Sequence, residues 1–521
     1  MATTLAFKDY IDPTLWRPES PALAASGAGQ ALAYDMRNGE SGCPFVYRLR
    51  SATAFDAYDP TTREWIALAS PALAGTFGAG AAAIFAPSQG PRGTIAAGAT
   101  VNQIALTTAL PAAVGINQLA NRGDGVGYRI KIVGNAAGSS GKAEYRTIVA
   151  NSGGANPTIV FDAPLSFAPI LGDAYEIRSG RVFLLSAGTL AAGVWKYYDI
   201  ATNSYSASLG TTNLPGTIGT DSNGLHLSES HVPNDRNTGE GFVSGAGTYD
   251  GAAKNCIVAT ASGATSITGA GMPATLVADE YRNFQIRIVE DTTTPTSVNQ
   301  RRRISTHTGG AAGAFTVAAW AVTPSATAKF VVENDDDKIL LRSSAGTSVY
   351  NYNITANTWD VATWAAPLAH GAGVVFEQAF GITRDTSGNA RHSHVFCVRG
   401  GASSAIDVLD IAGAATGSWS NDIVYGKKAQ TFTTGTSGAY DPATLGGRFL
   451  HLCINGTQRM ARFDVRNRIL DAGSYLRYPQ GTAIVGANLA VGTFVDGATK
   501  LSFLYQITQS QANVFAMPVT R

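Results

Sequence analysis

A chain of 521 residues with 38 basic and 37 acidic side chains has a formal charge of only +1, which removes the electrostatic case for wrapping a nucleic acid. Charged residues make up 14% of it, against roughly a quarter in an average soluble domain, while glycine reaches 58. Length alone suggests three or four domains of ordinary size, a count that repeat architectures evade.

No signal peptide is expected, because Met1 to Tyr10 has no basic region followed by an apolar stretch. The most apolar run, around Ala72 to Pro87, is built of Ala and Gly and is too short to span a bilayer. Cys43, Cys256, Cys397 and Cys453 are widely separated and form no CxxC pair, so they read as buried, reduced thiols of a protein that matures in a cytosol.

No long segment shows helical periodicity, and short runs rich in Val, Ile, Thr and aromatics between Gly-rich turns predict an all-β chain. The strongest local signal is a recurring hairpin. It reads Tyr58-Asp59-Pro60-Thr61-Thr62-Arg63-Glu64-Trp65, then Tyr198-Asp199-Ile200-Ala201-Thr202-Asn203-Ser204-Tyr205, then Tyr352-Asn353-Ile354-Thr355-Ala356-Asn357-Thr358-Trp359. Weaker copies follow at Leu409-Asp410-Ile411 with Trp419 downstream, and at Phe463-Asp464-Val465-Arg466-Asn467.

An apolar strand precedes each hairpin, at Phe45 to Arg50, Val182 to Ser186, Ile339 to Arg342, Val395 to Val398 and Phe449 to Ile454. A sixth cluster, Leu501 to Tyr505 followed by Val514 to Val519, lacks a downstream strand; the N-terminus, within Thr3 to Ile11, is expected to supply it. Repeated antiparallel sheets of about four strands predict a β-propeller of six blades, with seven as the alternative count, closed by the borrowed strand. In that fold the third-strand Tyr or Phe packs on a neighbouring blade, the adjacent Asp accepts hydrogen bonds from turn amides, and the following Trp or Tyr covers the blade edge. The motif residues are therefore expected to be structural.

A longer repeat lies inside the first. Tyr128-Arg129-Ile130-Lys131-Ile132-Val133 matches Phe284-Gln285-Ile286-Arg287-Ile288-Val289 at an offset of 156, and Arg146-Thr147-Ile148 meets Arg302-Arg303-Ile304 at the same offset. Two homologous β modules, barrels or sandwiches at 93–180 and 254–335, are thus expected before the second strands of consecutive blades, projecting from one rim. The remaining spans, 1–92, 181–253 and 336–521, are expected to form the arm, the blades and the closing blade. Partner contacts are expected on such insertions, above a rigid scaffold.

Motifs for chemistry are weak. Gly134 to Lys142 suggests a phosphate loop, but the spacing is wrong and Ala143 stands where a hydroxyl residue would hold magnesium, so a hairpin turn is expected. Asn334-Asp335-Asp336-Asp337 and Asp221-Ser222-Asn223 offer oxygen ligands without a calcium-loop spacing, and read as solvated turns. His392 and His394 share a strand face but have no neighbouring carboxylate; His226 and His231 read likewise as packed or surface residues. Arg301-Arg302-Arg303 reads as a solvated or paired strand face, and Arg122-Gly123-Asp124 as a chance match. No carboxylate pair, nucleophile elbow or nucleotide fingerprint is apparent, so no catalytic residue, cofactor or metal is expected.

The Tyr-Asp-x-x-Thr-x-x-Trp hairpins resemble kelch-type propeller blades, with the double glycine at Gly400-Gly401 and Gly446-Gly447. The inserted modules, with their Tyr-Arg-Ile-Lys-Ile-Val and Phe-Gln-Ile-Arg-Ile-Val strands and Ala-Tyr-Glu-Ile-Arg or Lys-Phe-Val-Val-Glu endings, resemble small β domains of propeller-like structural proteins in tailed bacteriophages. The resemblance implies a non-enzymatic virion protein of the tail, neck, collar, nozzle or baseplate. It implies assembly in the host cytoplasm in several symmetry-related copies, with other virion proteins as partners. The alternatives are a receptor- or glycan-binding fibre component touching a host surface glycan, a capsid decoration protein, or a polysaccharide-degrading propeller enzyme.

Overall fold

The computed structural model describes residues 16–518 apart from 28, 36–42, 44, 109, 112–113, 123–124, 222, 228–247, 250–253, 271, 273, 345, 380–382, 385–389, 392, 413, 426–430, 441–446, 455–459, 472–486, 497–498 and 509–511. Among the described residues the chain is all-β: its only helical turns are the 3₁₀ segments Gln118–Ala120 and Pro295–Ser297, and no helix is long and apolar enough to cross a membrane.

Six four-stranded antiparallel sheets run along the described chain. Sheet 1 joins Ala31–Ala33, Val46–Ser51, Ala54–Asp59 and Glu64–Ala67. Sheet 2 joins Ala82–Ala86, Arg181–Leu185, Trp195–Asp199 and Ser204–Tyr205. Sheet 3 joins Asn223–His226, Lys338–Arg342, Val349–Asn353 and Thr358–Trp359. Sheet 4 joins Val375–Gln378, His394–Val398, Ile406–Asp410 and Ser418–Ser420. Sheet 5 joins Ser437–Tyr440, Phe449–Cys453, Met460–Asp464 and Ile469–Asp471. Sheet 6 joins Ala487–Asp496, Thr499–Thr508, Val514–Pro518 and, from the other end of the chain, Arg17–Pro18.

The first strands of these sheets neighbour one another cyclically. Ala31–Ala33 lies beside Ala82–Ala86, followed in turn by Asn223–His226, Val375–Gln378, Ser437–Tyr440 and Ala487–Asp496, which returns to Ala31–Ala33. Second strands such as Lys338–Arg342 are buried along their whole length because sheets lie against both of their faces, which is why they read as apolar runs rather than alternating ones. Apolar clusters fill the seams: Tyr47, Phe55 and Tyr198 between sheets 1 and 2, Trp195 and Tyr352 between 2 and 3, Phe396 and Phe463 between 4 and 5, and Tyr58 and Tyr505 between 1 and 6.

The closing strand differs in position from the sequence expectation. Arg17 pairs with Ala516 and Pro18 with Phe515, and the contact continues as Glu19 N–H donates to the Val514 carbonyl at 2.9 Å. Residues 3–11 lie outside the described residues. A two-residue strand containing proline gives no alternation to read, and proline suits an edge because it has no N–H to donate.

The insertions occupy equivalent places. One lies between the first and second strands of sheet 2, the other between the first and second strands of sheet 3. The second is a closed barrel of Ile257–Gly263, Ser266–Ala270, Ala314–Val317, Arg301–His307, Gln285–Glu290 and Lys329–Glu333. The first is a six-stranded sheet in the order Arg92–Thr94, Ala174–Arg178, Arg129–Val133, Ala143–Asn151, Thr158–Phe161 and Gln103–Ala105. Its edges are joined by an isolated Ile95–Leu106 bridge, so strand for strand it follows the order of the barrel. The first encloses an apolar core around Ile130, Ile148 and Tyr175, whereas that of the second, around Ile286, Ile304 and Phe330, runs on into residues of sheets 3 and 4 such as Leu340 and Phe376.

Candidate functional site

The hairpin motif lies at the outer end of the sheets. Tyr58 stands opposite Trp65, Tyr198 opposite Tyr205, Tyr352 opposite Trp359, and in the weaker copies Leu409 faces Trp419 and Phe463 faces Leu470. In four of these five hairpins the turn places a left-handed residue five positions after the aromatic: Arg63, Asn203, Asn357 and Arg468 have φ of 61°, 47°, 54° and 58°. Asparagine tolerates that conformation, and here it also accepts a hydrogen bond, Tyr198 Oη to Asn203 Oδ1 at 2.9 Å and Tyr352 Oη to Asn357 Oδ1 at 2.7 Å.

The motif carboxylates organise the turns. Asp59 accepts from the Thr61 amide at 2.8 Å, Asp410 from Ala412 at 3.0 Å, and Asp464 from Arg466 and Asn467, each at 3.0 Å. Asp199 pairs with Arg181 at 2.9 Å and Asp464 with Arg448 at 2.7 Å, across from the start of the second strand. Asn353 replaces the carboxylate in sheet 3 and receives Lys338 Nζ at 2.7 Å, while Asp360 supplies the charge at 3.2 Å.

The acidic run does not form the solvated turn expected of it. Asn334, Asp335 and Asp336 are buried, and Asp336 Oδ1 is held by Arg301 at 2.9 Å and by Gln285 at 2.8 Å. Arg301 reaches in turn toward Glu176 of the first insertion at 3.4 Å, and Asn299 bridges Glu176 and Lys131 at 2.9 and 2.8 Å. Burial acts against the charged Glu176 carboxylate, but Lys131, Arg301 and Arg92 around it hold it well below the ordinary carboxylate range. Arg287 and Glu333, both fully buried, pair at 3.0 Å inside the same cluster. This polar seam binds the two insertions to each other and to sheet 3, and it takes up Asp336 of the 334–337 run and Arg301 of the arginine triplet.

Arg302 and Arg303 lie over the rings of Trp320 and Trp364, with guanidinium-to-centroid distances of 5.7 and 5.2 Å. Gly134 to Lys142 is a hairpin turn between Arg129–Val133 and Ala143–Asn151, and its amide at Ala136 donates to Asp173 Oδ1 at 2.8 Å. A side-chain carboxylate thus sits against the loop. Gly141, with φ of 69°, lies where a β-carbon would come within 2.2 Å of the Asp291 carbonyl, so only glycine lets the insertions meet there. Asp221 accepts from the Gly373 and Gly435 amides at 2.9 and 3.3 Å; His226 sets Nε2 against the Asp336 carbonyl at 2.6 Å. Ser222, His231, His392, Gly123 and Asp124 lie outside the described residues.

Two arrangements escaped sequence reasoning. Between sheets 3 and 4, Cys397 Sγ lies 3.2 Å from His370 Nδ1, and His370 Nε2 lies 2.8 Å from Asp407 Oδ2, a Cys-His-Asp geometry. Arg342 Nε also donates to Nδ1 at 2.5 Å, which makes that nitrogen an acceptor and puts the ring proton on Nε2, facing Asp407. Burial works against the Asp407 carboxylate, yet His370 and Arg399 hold it down to about 2. Burial pushes the Cys397 thiol up to about 12, the reverse of an activated nucleophile, and the sulfur is fully enclosed. The group is a satisfied polar seam.

The second is an axial cavity of about 270 Å³, to which the first-strand region of every one of the six sheets contributes. Gln30, Thr220, Asp221, Asn223, His226, Thr436 and Glu377 bring polar groups to it. Glu377 is only 8% exposed. Its signal in the sequence is a lone carboxylate within the apolar strand Val374-Val375-Phe376-Glu377.

No protein-family model matches the chain, and no curated protein matches it. Among solved structures, the computationally designed Ika8 protein aligns over 96% of this chain and 100% of its own, at 10% identity and a TM-score of 0.28. Saccharomyces cerevisiae Sqt1 aligns over 98% and 99%, at 7% identity and a TM-score of 0.33. An auxiliary nutrient-binding protein of Bacteroides ovatus ATCC 8483 aligns over 84% and 85%, at 10% identity and a TM-score of 0.22. At such scores the likenesses carry no argument about fold or function.

Proposed function

We propose that the chain is a six-bladed, kelch-like β-propeller serving as a non-enzymatic structural component of a tailed-phage virion, a rigid ring in the tail, neck or nozzle. The observation that carries the rigid-scaffold reading is the cyclic order of the six first strands, closed by pairing Arg17–Pro18 with Val514–Pro518. Such closure makes each seam depend on all the others and leaves few free sheet edges. The buried polar seam around Glu176, Arg301 and Asp336 supports a further part of the reading, that the two insertions present one fixed surface to neighbouring subunits.

Placement in a virion rests on the resemblance of the hairpins and insertions to propeller-like phage proteins. The motif aromatics Tyr198, Tyr352 and Trp359 are buried in the seams, which favours scaffold over sugar stacking for these residues. The test is quantitative mass spectrometry and cross-linking of purified particles of the encoding phage. The chain should appear in a fixed multiple of the tail symmetry, with cross-links from residues 93–180 and 254–335 to neighbouring subunits. Its absence from particles, or its release of reducing sugar from host polysaccharide, would overturn the reading.

A further inference from the structure

The axial cavity contains a charge problem that its own walls do not solve. Glu377 lines it, is more than nine-tenths buried, and has no hydrogen-bond or ion-pair partner among the described residues. Among the described residues no lysine or arginine lines the cavity. The other titratable groups there are engaged: Asp221 with the Gly373 and Gly435 amides, His226 with the Asp336 carbonyl, and Tyr34 with the Tyr440 backbone. A buried polar group in a native structure normally has a partner, and an isolated carboxylate is costly to desolvate.

We propose that the axial cavity binds a singly charged cationic group rich in hydrogen-bond donors, an alkylammonium or guanidinium, with Glu377 as its counter-ion. Of the two carboxyl groups lining the cavity, Asp221 is held by two backbone amides and Glu377 by no described residue, so exchange of the Glu377 proton admits one positive charge, and hydroxyl and carbonyl-bearing neighbours such as Thr220, Asn223 and Thr436 suit the remaining donors of such a head group. No group of three or more His, Cys, Asp or Glu side chains arranged for a metal occurs among the described residues, which favours an organic monocation over a multivalent ion. The site is independent of whether the ring belongs to a virion.

Binding has a signature that packing alone lacks. Burial raises the empty site's Glu377 to about 8, so at neutral pH a cation must displace its proton. Affinity should therefore rise by up to roughly tenfold per pH unit below that value, with uptake of one cation releasing about one proton. Isothermal titration calorimetry in buffers of different ionisation enthalpy, using n-butylammonium chloride and the peptide acetyl-Gly-Lys-Gly-amide, reads both quantities on the full chain. Saturable binding of either probe with proton release, abolished in the near-isosteric Glu377→Gln variant, supports the site; binding of the peptide as well would make a partner's lysine a possible source of the head group. No saturable heat with either probe at millimolar concentration overturns the proposal. So does pH-independent binding, binding that survives Glu377→Gln, or saturable uptake of calcium chloride but of neither amine. The pH dependence of the unaltered protein stands even if the variant fails to fold.

Discussion

Tyr352 and Trp359 face each other across the last hairpin of sheet 3 with ring centroids 5.1 Å apart and planes tilted by 48°, and Tyr198 with Tyr205 repeats the pair at 5.2 Å and 48°. Both sets of rings also reach the preceding sheet. Tyr352 packs edge-on to Trp195 at 5.6 Å, and Tyr198 packs edge-on to Phe55 at 5.3 Å. The hairpin therefore joins one sheet to the next, and in these copies the recurring sequence motif marks a seam.

That relationship separates two tryptophans which look alike in sequence. Trp359 is 1% exposed and donates Nε1–H to the Gly210 carbonyl at 3.2 Å, whereas Trp65 is only half-buried. Trp359→Ala is expected to destabilise by about 3–5 kcal/mol and Trp65→Ala by roughly 1–2 kcal/mol. Guanidinium denaturation monitored by far-UV circular dichroism compares them directly, and equal costs would break the argument.

Closure at Arg17–Pro18 predicts unequal truncations. Removing residues 1–11 leaves the pairing with Val514–Pro518 in place; removing 1–20 deletes it, together with the buried Trp16. The shorter deletion should remain soluble, and the longer one should expose a sheet edge and aggregate, as should loss of 514–521. Size-exclusion chromatography with light scattering measures this, and a monodisperse, equally stable 21–521 chain would count against closure.

How much of this was legible depended on the range over which each cause acts. Tyr352-Asn353 to Trp359 lies within one hairpin, so its spacing alone gave the turn, and the apolar runs before the hairpins gave the second strands. The offset of 156 between the insertions predicted a common strand order because each copy folds locally. Asp336 was misread as solvated because its partners, Arg301 and Gln285, lie 35 and 51 residues away and in another strand. The partners of Glu176 are farther still, since Asn299 is 123 residues on. Charge runs state that counter-charges are needed; they do not say where the fold delivers them. The isolation of Glu377 among the described residues was unreadable for the converse reason, because it is a property of all the surrounding strands at once.

The Arg287–Glu333 pair, with both side chains 0% exposed, tests the polar seam of the second insertion. Glu333→Ala removes the buried carboxylate that pairs with the Arg287 guanidinium and is expected to cost about 3–5 kcal/mol, whereas replacing both by similarly sized apolar residues should recover most of the loss. A double-mutant cycle by chemical denaturation separates these outcomes. Independent, additive effects of the two substitutions would show that the pair does not act as a unit.

Glu377 makes stability depend on pH in an unusual direction. Its carboxyl is raised from the ordinary value of 4.5 to about 8 by burial, so the folded state retains a proton that the unfolded state has already lost. The unfolded chain then binds fewer protons than the native one between those values, and stability must fall as pH rises through this window, by up to about 1.4 kcal/mol per pH unit from this group. Glu377→Gln removes the dependence without removing bulk. The variant should match the parent near pH 4 and exceed it progressively toward pH 8, read as the difference in denaturation midpoint across the series. A difference that stays constant from pH 4 to pH 8 would mean that the carboxyl is solvated and the axial cavity open to bulk water.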